Sequence, residues 1–222
     1  WWGENVRLED NLRDAYNYAA KLLSDLGRLA ILIVLSIIPI VNFITFGYFV
    51  RVIRESPRNT SPPPLEKYGE LWVDGAKVFV VTLVYMIVPV VYAALGISAS
   101  IVGSFSPFFI GLAAISATLV VIGFILAFVI MIIWIMAIAH MAKTGRLGAA
   151  FDFNQILSRI RAIGWPTYIL WIVIIFVIGL ILAGLSFIPF IGWLITLIIS
   201  PVFLVFMGRS AAYTYESAAP RA

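Results

Sequence analysis

Apolar positions along this chain gather into three uncharged stretches, residues 29–50, 78–142 and 162–208, and every Asp, Glu, Lys and Arg lies between or outside them. A charged side chain at mid-bilayer costs about 2.5–3.5 kcal/mol on insertion scales, so this segregation is what a lipid environment selects. A helix needs about 20 residues to cross a hydrocarbon core of about 30 Å. Residues 162–208 therefore hold two spans and a turn. The turn is written at Ser186–Gly192, where Pro189 cannot continue a helix and Gly192 relieves the backbone after it. Residues 78–142 hold two spans with a surplus. Gly96, Ser98, Ser100, Gly103, Ser104, Ser106 and Pro107 interrupt the pattern there, so spans are expected near 77–97 and 117–141, with 98–116 as an apolar connection lying in the far interface or dipping back into it.

The stretch 29–50 is long enough for one span, but Pro39 sits in its middle and both flanks are basic (Arg28 before, Arg51 and Arg54 after). The positive-inside rule then favours a short re-entrant hairpin with both ends cytoplasmic. An internal echo agrees: Ser36-Ile37-Ile38-Pro39-Ile40-Val41-Asn42-Phe43 lines up with Ser186-Phe187-Ile188-Pro189-Phe190-Ile191-Gly192-Trp193. Pro39 with Asn42, and Pro189 with Gly192, are the expected helix-break turns.

An amphipathic helix approaches each hairpin. Leu8, Leu12, Tyr16, Ala19, Leu23 and Leu26 share the apolar face of the first, and Leu65, Tyr68, Trp72, Ala76 and Phe79 that of the second. Phe153, Ile156, Leu157, Ile160 and Ile163 line the third, where Asp152 and Gln155 resemble a capping box. Ser61-Pro62-Pro63-Pro64 is a stiff spacer before the second. The expected fold is all-α and integral to the membrane, with about four full spans, a short N-terminal hairpin and cytoplasmic interfacial helices. As one membrane domain it divides into an amphipathic helix (1–28), short hairpin (29–56), linker and amphipathic helix (57–76), second hairpin (77–142), interfacial helix (143–164) and third hairpin (165–215).

Composition narrows the class. An apolar share of 63% and a mean hydropathy of +1.06 exclude an ordinary soluble globule, whose apolar share is about 45–50%. The net charge of +4 reads as positive-inside bias and not as a nucleic-acid footprint. Cysteine is absent, which removes disulfides, thiolate metal sites and cysteine nucleophiles. A single Gln (Gln155) and a single His beside abundant Ile and Val fit a heat-loving source. The chain opens Trp1-Trp2-Gly3-Glu4, without Met or a basic leader, and reads as trimmed at its start.

Intramembrane ionisable residues are the usual pointer to pumps and coupled transporters, and these stretches carry no Asp, Glu, Lys or Arg. His140, the single histidine, lies three residues before Lys143 and reads as a helix-end residue. No cofactor or metal is expected. Glu66, Glu70 and Asp74 form a regularly spaced acidic ridge, read as a solvated or ion-paired face and not as a catalytic set, because carboxylates along one helix do not converge. Together with Arg159 and Arg161 they are the candidate partner-docking residues. The expected function is non-enzymatic: a scaffold or accessory subunit of a membrane complex, in contact with the bilayer and with other membrane subunits or its own copies. The alternative is a passive or lipid-handling transporter gated at the broken helices.

Several short runs, in order, resemble a known family. They are Pro39-Ile40-Val41-Asn42-Phe43, Gly47-Tyr48 followed by Arg51 and Arg54, Pro62-Pro63-Pro64-Leu65 to Gly69-Glu70-Leu71 with Asp74-Gly75, and Phe153-Asn154-Gln155-Ile156. The pattern is similar to that of the archaeal and bacterial multi-pass membrane proteins grouped as domain of unknown function four-zero-one-three. The resemblance implies an integral membrane fold and transfers no activity and no functional residues.

Overall fold

The computed structural model describes residues 8–105 and 110–218. Among them are eight α-helices: α1 (Leu8–Leu23), α2 (Leu26–Ile37), α3 (Phe43–Glu55), α4 (Tyr68–Ser104), α5 (Ile110–Thr144), α6 (Phe153–Ile163), α7 (Trp165–Leu185) and α8 (Gly192–Ser217). A 3-10 turn, Leu147–Phe151, precedes α6. By length and composition α4, α5, α7 and α8 can each cross a membrane. Their outward surfaces are Val, Ile, Leu and Phe, which lipid tolerates and water does not.

Contacts divide the chain into two compact units, Val80–Ile135 and the part outside it. Within Val80–Ile135, α4 and α5 approach backbone to backbone. A Cβ on Gly96 would lie 2.8 Å from the Ser116 carbonyl oxygen, and one on Gly123 would lie 3.1 Å from that of Pro89. The small residues expected to break the chain at 98–104 are helical instead, within α4. Lipid offers no partner to a freed peptide group, so the helix continues through Ser98, Ser100 and Gly103, and the Ser104 hydroxyl returns to the Ile101 carbonyl at 2.6 Å. Ser106, Pro107 and most of the expected 98–116 link after Phe105 lie outside the described residues or within α5.

In the other unit α8 is packed by α1, α2, α3 and α7. The core comprises Tyr18, Ala19 and Leu22 of α1, Leu29 and Leu32 of α2, Tyr48 and Val52 of α3, Leu71 of α4 and Val205 of α8. The buried face of α1 is Asn11, Ala15, Tyr18, Ala19 and Leu22, whereas Tyr16, Leu23 and Leu26 of the expected stripe are exposed. Close packing on α8 selects small and hydrogen-bonding residues over bulky ones, which moves the interface around the cylinder. The second amphipathic helix is likewise corrected. Its segment is the first part of the long α4, beginning at Tyr68, so Leu65 and Glu66 precede it; Leu71, Asp74, Gly75 and Val78 face inward while Tyr68, Trp72 and Phe79 are exposed. The third amphipathic helix, α6, buries Ile156 and Ile160, and the Asp152 carboxylate accepts from the Gln155 amide at 3.2 Å.

Pro39 and Pro189 both lie between helices, and the two turns have one geometry. Ile40 and Phe190, each following its proline, have φ of 69° and 65°. The Asn42 amide donates to the Ile38 carbonyl at 3.0 Å and the Gly192 amide to the Ile188 carbonyl at 2.9 Å. The echo in sequence is therefore an echo in backbone. Arm length differs: α2 has 12 residues against 21 in α7.

Candidate functional site

In the unit outside Val80–Ile135, the chain from Ser56 to Lys67 crosses the charged end without helix or strand. Prolines supply no N–H, and extended proline-rich backbone makes no internal hydrogen bonds, so its carbonyls need outside donors. Side chains from five helices provide them. Arg28 of α2 donates to Pro62 O at 2.8 Å and Pro63 O at 3.0 Å, and the Tyr48 hydroxyl also donates to Pro63 O, at 2.8 Å. Arg51 of α3 donates to Glu66 O at 2.7 Å. Lys21 of α1 holds Thr60 O, Arg209 of α8 holds Asn59 O at 2.7 Å, and Lys143 at the end of α5 holds Ser56 O. The strap is thus fixed by cations that a reading of the sequence assigns only to flanking bias.

Arg209 is the most deeply buried of these charges, 3% exposed. Its Nε donates to Asp14 of α1 at 2.8 Å, and its guanidinium lies between the rings of Tyr18 and Tyr213, 4.4 and 4.9 Å from their centroids. Burial raises the pKa of the Tyr18 hydroxyl above its ordinary value, and Ser56 and Arg209 offset only part of that rise. Beside this clamp the Asn11 side chain donates to Thr214 Oγ1 at 2.9 Å and accepts from Ser210 Oγ at 2.8 Å, and Trp171 Nε1 donates to the same Ser210 hydroxyl. These bonds lock α1, α7 and α8 together.

The docking residues named from sequence are placed unequally. Asp74 is buried and held on both oxygens, by Arg54 Nη2 and Lys77 Nζ, each at 2.8 Å. It is not a free docking charge. Glu70 is exposed and pairs with Lys67 at 3.3 Å, with Arg51 Nη2 at 3.9 Å. Glu66 is exposed but lies off the helix, so the three acids do not form one helical ridge: Arg51 takes its carbonyl, and Lys67, with φ of 55°, turns the chain before α4 begins. Arg159 lies over the Tyr215 ring at 4.4 Å, and the Tyr215 hydroxyl meets His140 Nδ1 at 2.7 Å. Arg161 is exposed. Pro39, Asn42, Pro189 and Gly192 occupy or end the two turns, and a Cβ on Gly192 would meet the Leu185 carbonyl oxygen at 2.3 Å. Arg209, Asp14 and Asn11 were not singled out as site residues in the sequence, and Arg28 was read only as a basic flank. The only signal for Arg209 is its place directly after the uncharged run.

Arg54, Glu70, Val73, Asp74, Lys77, Gly69 and Gly145 line an open cleft of about 510 Å³. Among the described residues no group of three His, Asp or Glu side chains is disposed to hold a metal ion.

These features define an all-helical membrane protein with four helices able to span and a charged end tied together by its own strap. The chain belongs to the family described as Protein of unknown function (DUF4013), which matches residues 31–191. No curated protein and no solved structure matches the chain.

Proposed function

We propose that this protein is a non-enzymatic subunit that scaffolds or docks other components of a membrane complex, with its charged end and both termini cytoplasmic. The observation that carries the reading is the strap: a proline-rich segment fixed at successive carbonyls by Arg28, Tyr48, Arg51, Lys143 and Arg209. A surface so fixed presents its remaining charges at constant positions, which lowers the ordering cost of binding. The exposed residues Arg58, Glu66, Glu70 and Arg161 are the contacts offered to a partner. Asp74 and Arg209 support that surface from beneath. Basic flanks on each uncharged run give the orientation.

Purification of the native protein in a mild detergent, after crosslinking from photoreactive residues placed at 70 and 161, tests the reading. A stoichiometric partner crosslinked from both positions is the expected result. A monomer that carries no protein at either position rejects it.

A further inference from the structure

We infer that the cleft beside Asp74 binds the headgroup of an amine-bearing phospholipid, its phosphate on Arg54 and Lys77 and its ammonium on Glu70. This site shares Glu70 with the proposed docking surface but needs no protein partner. Lys77 is the last charge before the uncharged run 78–142 and Lys143 the first after it, and Gly145, which also lines the cleft, follows two residues later. The cleft therefore lies where an apolar helix pair leaves the hydrocarbon, at the level of the headgroups.

Its chemistry is that of a divided charge. Two cations share the single buried carboxylate of Asp74, so this trio keeps one unit of positive charge. Arg54 spends Nε on Ala142 O and Nη2 on Asp74, and Lys77 spends one Nζ proton on Asp74, which leaves both with donor capacity. Glu70 supplies the opposite sign across the cleft. Its side chain is 61% exposed and its partner Lys67 67% exposed, an ion pair of the kind that contributes little and yields readily to a competing ammonium. The charges of the lining sum to zero, which favours a zwitterion over a net anion. A primary ammonium can also donate hydrogen bonds to Glu70, which a quaternary one cannot.

Native mass spectrometry of the full chain in detergent, doped with phosphatidylethanolamine, phosphatidylcholine or phosphatidylglycerol, tests the assignment. The ethanolamine lipid should be retained about fivefold over either of the others, which is about 1 kcal/mol at 1.4 kcal/mol per decade. Val73→Trp fills the cleft from an exposed position without touching an ion pair, and should reduce all three lipids to one common level. Glu70→Gln should abolish the preference for ethanolamine over choline while leaving phosphate-dependent retention; it carries the test by itself if the tryptophan variant does not fold. Equal retention of the three lipids by the unaltered chain, or an ethanolamine preference that survives Glu70→Gln, overturns the site. Free phosphoethanolamine binding as tightly as the lipid overturns the membrane source of the ligand.

Discussion

Gly47 of α3 and Leu71 of α4 meet backbone to backbone: a Cβ on Gly47 would lie 1.7 Å from the Leu71 carbonyl oxygen. The contact has a counterpart one turn away, where a Cβ on Gly75 would lie 1.8 Å from the carbonyl oxygen of Phe43. Phe43 and Gly47 are four apart on one helix, as are Leu71 and Gly75 on the other, so the two helices cross antiparallel with a glycine from each at the seam. The seam brings Arg51 to the start of α4 and Asp74 within reach of Arg54.

Gly47→Ala is accordingly expected to destabilise the fold by about 3 kcal/mol or more, because a backbone carbonyl cannot move aside as a flexible side chain can. Gly184→Ala, where an added Cβ meets nothing within 4 Å, should stay within about 1 kcal/mol of the parent. Thermal melting of both variants in one detergent makes the comparison. Equal midpoints would mean that α3 and α4 are farther apart than described.

Arg209 predicts an ordering of three variants. Asp14 is 40% exposed at its side chain and water can replace its partner, so Asp14→Ala should cost about 1 kcal/mol or less. Arg209→Ala removes the stacked guanidinium and leaves the Asn59 carbonyl bare, and should cost about 3 kcal/mol. Arg209→Lys should fall nearer to alanine than to the parent, since an ammonium supplies neither the planar stack nor the fork of donors. A lysine variant as stable as the parent would remove the two tyrosine rings from the account.

The four long helices were legible in the sequence because lipid makes mid-bilayer charge costly, and this chain keeps every Asp, Glu, Lys and Arg out of its apolar runs. The same solvent made the chain illegible at 98–104, where serine and glycine read as a loop in water but remain helical where peptide groups find no other partner. The face of α1 was misplaced for a packing reason: apolarity ranks Tyr16 and Leu23 above Asn11 and Ala15, yet a close helix–helix contact needs the small residues and the amide. Spacing alone brought Glu70 and Asp74 into one ridge. It could not show that Asp74 faces inward against two cations, since Arg54 reaches it from a different helix. Pro39 and Pro189 lie in turns, whereas Pro89 and Pro201 sit inside α4 and α8, so a proline ends a helix only where its surroundings allow the chain to turn.

The strap offers a test by proteolysis. Arg58 is exposed within it, so trypsin has a recognition residue on a backbone held taut. Arg28→Ala frees the Pro62 carbonyl, leaves Pro63 on the Tyr48 hydroxyl alone, and should speed cleavage after Arg58 relative to the parent. The carbonyl acceptors are neutral, so raising salt to about 1 M, where screening acts within about 3 Å, should leave the parent's resistance nearly unchanged. Rapid cleavage of the parent in high salt would show that the strap is held by exposed ion pairs such as Lys67–Glu70 instead.

The matched turns give a prediction of opposite sign. Ile40 has φ of 69°, a left-handed conformation in which a β-branched side chain is strained by about 1–2 kcal/mol and glycine is not. Glycine's greater freedom in the unfolded chain takes back about 0.5–1 kcal/mol. Ile40→Gly should therefore hold the melting midpoint or raise it slightly. Ile31→Gly, in the interior of α2 and also exposed, should lower it by the equivalent of about 1 kcal/mol. The Ile40 carbonyl accepts from Trp72 Nε1 at 3.1 Å, a bond the substitution keeps, so the backbone effect is read without loss of that contact. If Ile40→Gly proves as damaging as Ile31→Gly, residue 40 is not left-handed, and the shared geometry of the Pro39 and Pro189 turns fails with it.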